Sequence, residues 1–149
     1  MRILLDVRTY AEGLKPFVTV YIRMPSQRVH GAIYPFVDTG SPYTLISKTD
    51  ADRLRIKVTG KPRTILLGGA PIFSYELREV QLKTLYEDKR TVCDISLPIV
   101  GVLSPIPNNN QSSKIAGTIP SIIGVDLLRY HRFALYFDAC NEKSYLEKI

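Results

Sequence analysis

In the segment Phe36-Val37-Asp38-Thr39-Gly40-Ser41 a carboxylate follows an apolar run directly and precedes a turn of hydroxyl, glycine and hydroxyl. Each residue type has a chemical reason to stand there. A strand ending at Asp38 would hold the carboxylate on a rigid element. Gly40 permits a tight turn and the close approach of another backbone. Thr39 and Ser41 offer hydroxyls that hydrogen-bond to backbone or carboxylate. Asp, Thr and Gly also occur together in ordinary turns for conformational reasons alone, so the three letters gain weight only from what accompanies them. A glycine-tipped hairpin, Leu67-Gly68-Gly69-Ala70, follows downstream, and after it an apolar-apolar-glycine element, Ile122-Ile123-Gly124. A carboxylate so placed suits general acid–base chemistry.

Other catalytic chemistries find no support. His30 and His131 are the only histidines, and neither belongs to an HExxH or a Cys/His metal spacing. There is no GxSxG, no phosphate-binding GxxxxGK[ST] and no GxGxxG. No metal and no cofactor is expected.

The elements that must position Asp38 read as strands. Alternating or apolar runs predict strands over residues 17–22, 30–37 and 44–46. A hairpin is expected from 64–67 and 72–75 around Gly68-Gly69, and further strands over 80–83, 133–137 and 144–146. An apolar run over 95–100 is interrupted by Pro98. Helix is scarce: 47–54, with Ser47 as N-cap, and 125–130, opening after Gly124. The stretch 101–121, with its polar tract from Asn108 to Ser113 between prolines, reads as a long surface loop. The expected class is all-β with one or two short helices, folded as a closed barrel or sandwich.

Composition agrees. The chain has 149 residues and is 45% apolar, enough for a single domain (1–149) with its own core. Nine Tyr and five Phe suit pleated surfaces. Cys93 and Cys140 lack CxxC spacing and are expected as free thiols. With no signal peptide and no apolar run near the roughly 18 residues a membrane helix needs, a soluble, cytoplasmic protein is expected. The net charge is +6, part of it in Arg53, Arg55, Lys57, Lys61 and Arg63. This run reads as a solvated face, because no RNA-binding signature accompanies it.

The ordered set of Asp38-Thr39-Gly40, the glycine-tipped hairpin and Ile122-Ile123-Gly124 resembles the retropepsin-like aspartic peptidases, over most of the chain from about residue 17 to 146. Ile123-Gly124-Val125-Asp126-Leu127-Leu128, followed by 133–138, looks like the end of many cellular and prokaryotic members, and Ser41 in place of Ala is similar to the cellular form. Pro42-Tyr43 stand where viral members carry further acidic residues that bind the substrate backbone.

The resemblance implies an aspartic endopeptidase with a flap. Peptide hydrolysis of this kind uses two carboxylates about 3 Å apart that share one proton. None of Asp6, Asp50, Asp52, Asp88, Asp94, Asp126 and Asp138 precedes Thr-Gly or Ser-Gly. The second carboxylate is therefore expected from the Asp38 of a second copy, in an isologous homodimer. By the same resemblance Thr39 braces the dyad across the interface, and Gly40 lets the two loops meet. Leu67, Gly68, Gly69 and Ala70 form the flap. Ser41, Ile119, Pro120, Ile122 and Gly124 belong to the substrate site, and the substrate is a peptide or protein. The alternatives are a catalytically inactive peptide-binding or dimerisation module of the same fold, and a basic nucleic-acid-binding β-barrel using Tyr75, Tyr86, Lys83, Lys89 and Arg90.

Overall fold

A computed structural model describes residues 1–149. It is mainly β, with 46% of residues in strands against 17% in helices. Strands β1 (Arg2–Tyr10) and β2 (Gly13–Phe17) make a hairpin; β3 (Val20–Met24), a single 3-10 turn (Pro25–Gln27) and β4 (Val29–Ile33) make a second. Two-residue strands β5 (Phe36–Val37) and β6 (Leu45–Ile46) bracket the Asp38 turn, and helix α1 (Lys48–Leu54) follows. Next come β7 (Arg63–Leu67), β8 (Ala70–Leu77), β9 (Gln81–Leu85), β10 (Val92–Asp94) and β11 (Val100–Ser104). Helix α2 (Asn110–Thr118), β12 (Ile122–Ile123), helix α3 (Val125–Tyr130), β13 (Phe133–Asp138) and β14 (Lys143–Lys148) complete the chain.

The strands form two sheets, a ten-stranded one in the order β13-β14-β1-β2-β5-β12-β6-β11-β8-β7 and a four-stranded one in the order β10-β9-β3-β4. The expected closed barrel is not formed. Closure would require the outer strands β13 and β7 to pair, and each has a partner on one side only. The strands at the middle, β5, β12 and β6, are two residues long, and the chain leaves the sheet beside each of them.

The crossing between sheets also divides two expected strands. Residues 17–22 split between β2 and β3, and 30–37 between β4 and β5. Both breaks lie at one place, where the Val18 N–H donates to the Pro35 carbonyl at 3.0 Å. Pro35 has no N–H to continue a ladder, and the next donor, Phe36 N–H, is taken by Ser121 O at 3.1 Å.

Three helices form where one or two were expected. Ser47 caps α1 by accepting the Asp50 N–H at 3.0 Å. The stretch expected as a loop, 101–121, instead holds the end of β11 and all of α2. Asn109 caps α2 by accepting the Ser112 N–H at 2.9 Å. The Ser112 hydroxyl, fully buried, in turn accepts the Ile106 N–H at 2.7 Å. These bonds satisfy backbone groups that a polar sequence would otherwise leave to water.

The core has two parts. The larger draws on strands of both sheets and includes Ile3, Ile22, Ile46, Ile123, Leu127 and Leu146. The smaller consists of Phe17, Phe36, Leu45, Ile72, Leu103, Ala116 and Ile122, and both flanking strands of the Asp38 turn contribute to it. Cys93 is buried, Cys140 is exposed, and both are free. No helix is long and apolar enough to cross a membrane.

Candidate active site

Asp38 is the first residue beyond β5. Phe36 and Val37 are buried at 4% and 3% exposure, so the strand end has little freedom to move. β5 pairs in parallel with β12, Phe36 with Ile122 and Val37 with Ile123, and the ladder continues as the Asp38 N–H donates to Ile123 O at 2.9 Å. The turn closes on itself. Gly40 N–H donates to Asp38 Oδ1 at 2.9 Å, and Ser41 N–H donates to the Asp38 carbonyl at 3.1 Å. One carboxylate oxygen is thereby fixed, while the side chain stays partly exposed.

The other half of the turn is tied to the segment after β12. The Val125 N–H donates to Ser41 O at 2.8 Å, and the Ser41 hydroxyl donates to Tyr43 O at 2.7 Å. The Asp126 carboxylate accepts from both the Thr44 N–H (3.0 Å) and the Thr44 hydroxyl (2.7 Å). The Thr44 oxygen also accepts the Gly124 N–H at 3.1 Å. Gly124 is buried, and a Cβ there would meet the carbonyls of Tyr43 and Ser41. Thus residues 123–126 clamp residues 38–44 at both ends. Sequence reasoning missed Thr44 and Asp126; the signal available was a Thr and an Asp placed shortly after each of the two glycine motifs.

Breaking this clamp should be measurable. Thr44 is 6% exposed. Thr44→Val removes the donor to Asp126 and the acceptor for Gly124, and should cost about 1–3 kcal/mol in chemical denaturation. Thr44→Ser, which keeps the hydroxyl, should cost clearly less; equal losses would place the effect in packing alone.

Opposite the turn stands the β7–β8 hairpin. Leu67 pairs with Ala70, and Gly68 and Gly69 fill the two-residue turn with φ of +54° and +79°. Positive φ at both positions is what a type I′ hairpin requires and what glycine supplies. A pocket of about 240 Å³ lies between the two, lined by Asp38, Gly40, Ser41, Pro42, Tyr43 and Leu45 on one side and by residues 65–68 on the other. The Arg63 guanidinium sits 4.7 Å from the Tyr43 ring centroid, beside this pocket.

The remaining candidate residues are distributed differently. Thr39 is exposed and lies outside the hydrogen bonds that hold the turn. Ile122 is 1% exposed and packs within the smaller core, so its side chain does not serve as a pocket wall. The reason is register: Ile122 pairs with both Phe36 and Leu45, in the middle of the sheet. Ile119 and Pro120 are half-buried, and Ile119 packs on the same core. Neither lines the pocket at Asp38.

No family model matches the chain, and no curated protein matches it. Among solved structures it is similar to a retropepsin-like aspartic protease from Rickettsia conorii, at 16% identity and a TM-score of 0.57, over 99% of this chain and 91% of that one. It is also matched to EIAV protease complexed with an inhibitor, at 15% identity and a TM-score of 0.45, over 83% of this chain and 93% of that one. The first match runs through nearly the whole length of both molecules, and from it we conclude that this chain has the retropepsin-like fold.

Proposed function

We propose that the chain is an aspartic endopeptidase whose active site is completed by a second copy. The observation that carries this reading is the Asp38 carboxylate at a strand end, one oxygen held by the Gly40 N–H at 2.9 Å, opening onto a pocket faced by a glycine-tipped hairpin. Hydrolysis without a covalent intermediate needs one carboxylate ionised, to take a proton from water, and one protonated, to donate to the carbonyl oxygen. Two carboxylates about 3 Å apart cannot both ionise cheaply, so a symmetric pair shares one proton and titrates as a unit.

In this reading a two-fold axis passes between two Asp38 side chains. Thr39, exposed beside Asp38, braces the opposite copy, and Gly40 lets the two turns approach. The residues 67–70 act as a flap that excludes water and orients an extended peptide. Gly124 supports the turn through its backbone. β1 and β14 pair with each other in one chain, from Arg2 with Glu147 to Leu5 with Ser144. In this reading the two Asp38 turns meet at the contact between copies.

The test is concentration dependence. Cleavage of an unstructured protein, blocked by a pepstatin-type inhibitor, should fall faster than in proportion to enzyme once the dimer dissociates. Specific activity that stays constant on dilution through the monomeric range, as measured by sedimentation, would exclude the shared site.

A further inference from the structure

Two cavities meet the hairpin tip at Gly68. Besides the one at Asp38, a second cavity of about 290 Å³ lies between residues 68–70 and helix α2, and Gly68 lines both cavities. From α2 it is lined by Gln111, Lys114, Ile115 and Thr118. Across the two linings only two side chains carry charge: Asp38 and Lys114. Neither α2 nor the hairpin facing it offers Lys114 a counter-ion. It is the only charged residue between 101 and 121, and residues 64–75 of the hairpin contain none. Its ammonium takes part in none of the chain's ion pairs.

We propose that Lys114 is a specificity-determining residue, and that the compartment between hairpin tip and α2 receives an acidic side chain of the bound peptide. The inference rests on the peptidase reading above. A peptide lying over Asp38 and under the hairpin extends past Gly68 into this compartment. A Glu or Asp side chain there meets an unpaired ammonium, and the Gln111 amide supplies a further donor. A Lys or Arg in the same place meets like charge, against which nothing in the lining compensates. Lys114 is exposed, and an ion pair at such a site favours the acidic peptide by roughly two- to fivefold, a preference that weakens with added salt.

The experiment uses fluorescent peptides with one apolar centre and a single Glu, Gln or Lys moved through the flanking positions. Binding to the Asp38→Asn protein is followed by anisotropy, and cleavage by the wild-type protein is followed in parallel. At one position the expected order of affinity is Glu, Gln, Lys, with Lys114→Gln flattening the order and Lys114→Glu inverting it. An order unchanged in Lys114→Glu overturns the proposal. So does a Lys114→Glu protein whose dimerisation is altered while its peptide preference is not, since the residue would then belong to the interface between copies. Charge-selective binding without any cleavage sinks the peptidase reading and leaves the Lys114 site standing. Failure both to bind and to cleave any of the peptides overturns both.

Discussion

Asp38→Asn is expected to lower peptide cleavage by at least about 10²–10⁴-fold, the range that a positioned acid–base group contributes, while leaving fold and association intact. The substitution changes almost no volume. Its amide oxygen can still accept the Gly40 N–H that now bonds Asp38 Oδ1 at 2.9 Å, and the side chain is only partly buried, so the stability change should stay within about 0.5 kcal/mol. On the peptidase reading, what it removes is the shared charge. A mixing experiment sharpens the point. If each site needs two Asp38 carboxylates, equal amounts of wild-type and Asn chains allowed to exchange should give active dimers in roughly a quarter of the population. Activity that remains at half would mean that each chain carries its own complete site. An Asp38→Asn protein cleaving at the wild-type rate would end the assignment.

The turn at Asp38 was legible because its information is local: an apolar strand end, hydroxyls and a glycine within six residues. The Gly68-Gly69 hairpin and the Ser47 cap were legible for the same reason, since positive φ and side-chain capping leave direct marks in sequence. What was not legible depends on distant partners. Nothing in the run 17–22 says that it will leave one sheet for another, because alternation reports a strand but not its neighbour. α2 was hidden by its polarity: Asn109, Ser112 and Ala116 do the capping and burying, and the helix exists because the Ser112 hydroxyl finds the Ile106 N–H. β1 alternates, with Ile3 and Leu5 buried and Arg2, Asp6 and Arg8 on its other face, yet no strand was expected there. Ile122 was misplaced because an apolar residue beside a motif looks the same whether it faces a pocket or a core. The network of Asp126, Thr44 and Gly124 spans about eighty positions and becomes visible only when β12 is laid between β5 and β6.

That network makes Gly124→Ala the most damaging small substitution away from Asp38. The backbone at Gly124 has φ of −95°, which any residue adopts, so the constraint is space and not conformation. An added methyl group would be driven into the backbone of Tyr43 and the carbonyl of Ser41. Neither can move freely. Ser41 O accepts the Val125 N–H at 2.8 Å, and Tyr43 O accepts the Ser41 hydroxyl at 2.7 Å. Overpacking against fixed backbone should cost about 1–3 kcal/mol in denaturant unfolding. Activity should fall further than the loss of folded protein explains. The displaced backbone is continuous with Asp38, and a shift of about 1 Å in a reacting group can cost on the order of 10²-fold. Gly117→Ala is the control. It lies within α2 with nothing near an added Cβ, so it should be neutral or stabilising by up to about 1 kcal/mol. If Gly124→Ala matches that control in both stability and turnover, the turn is not clamped by β12 and its glycine. The position of the Asp38 carboxylate would then need another explanation.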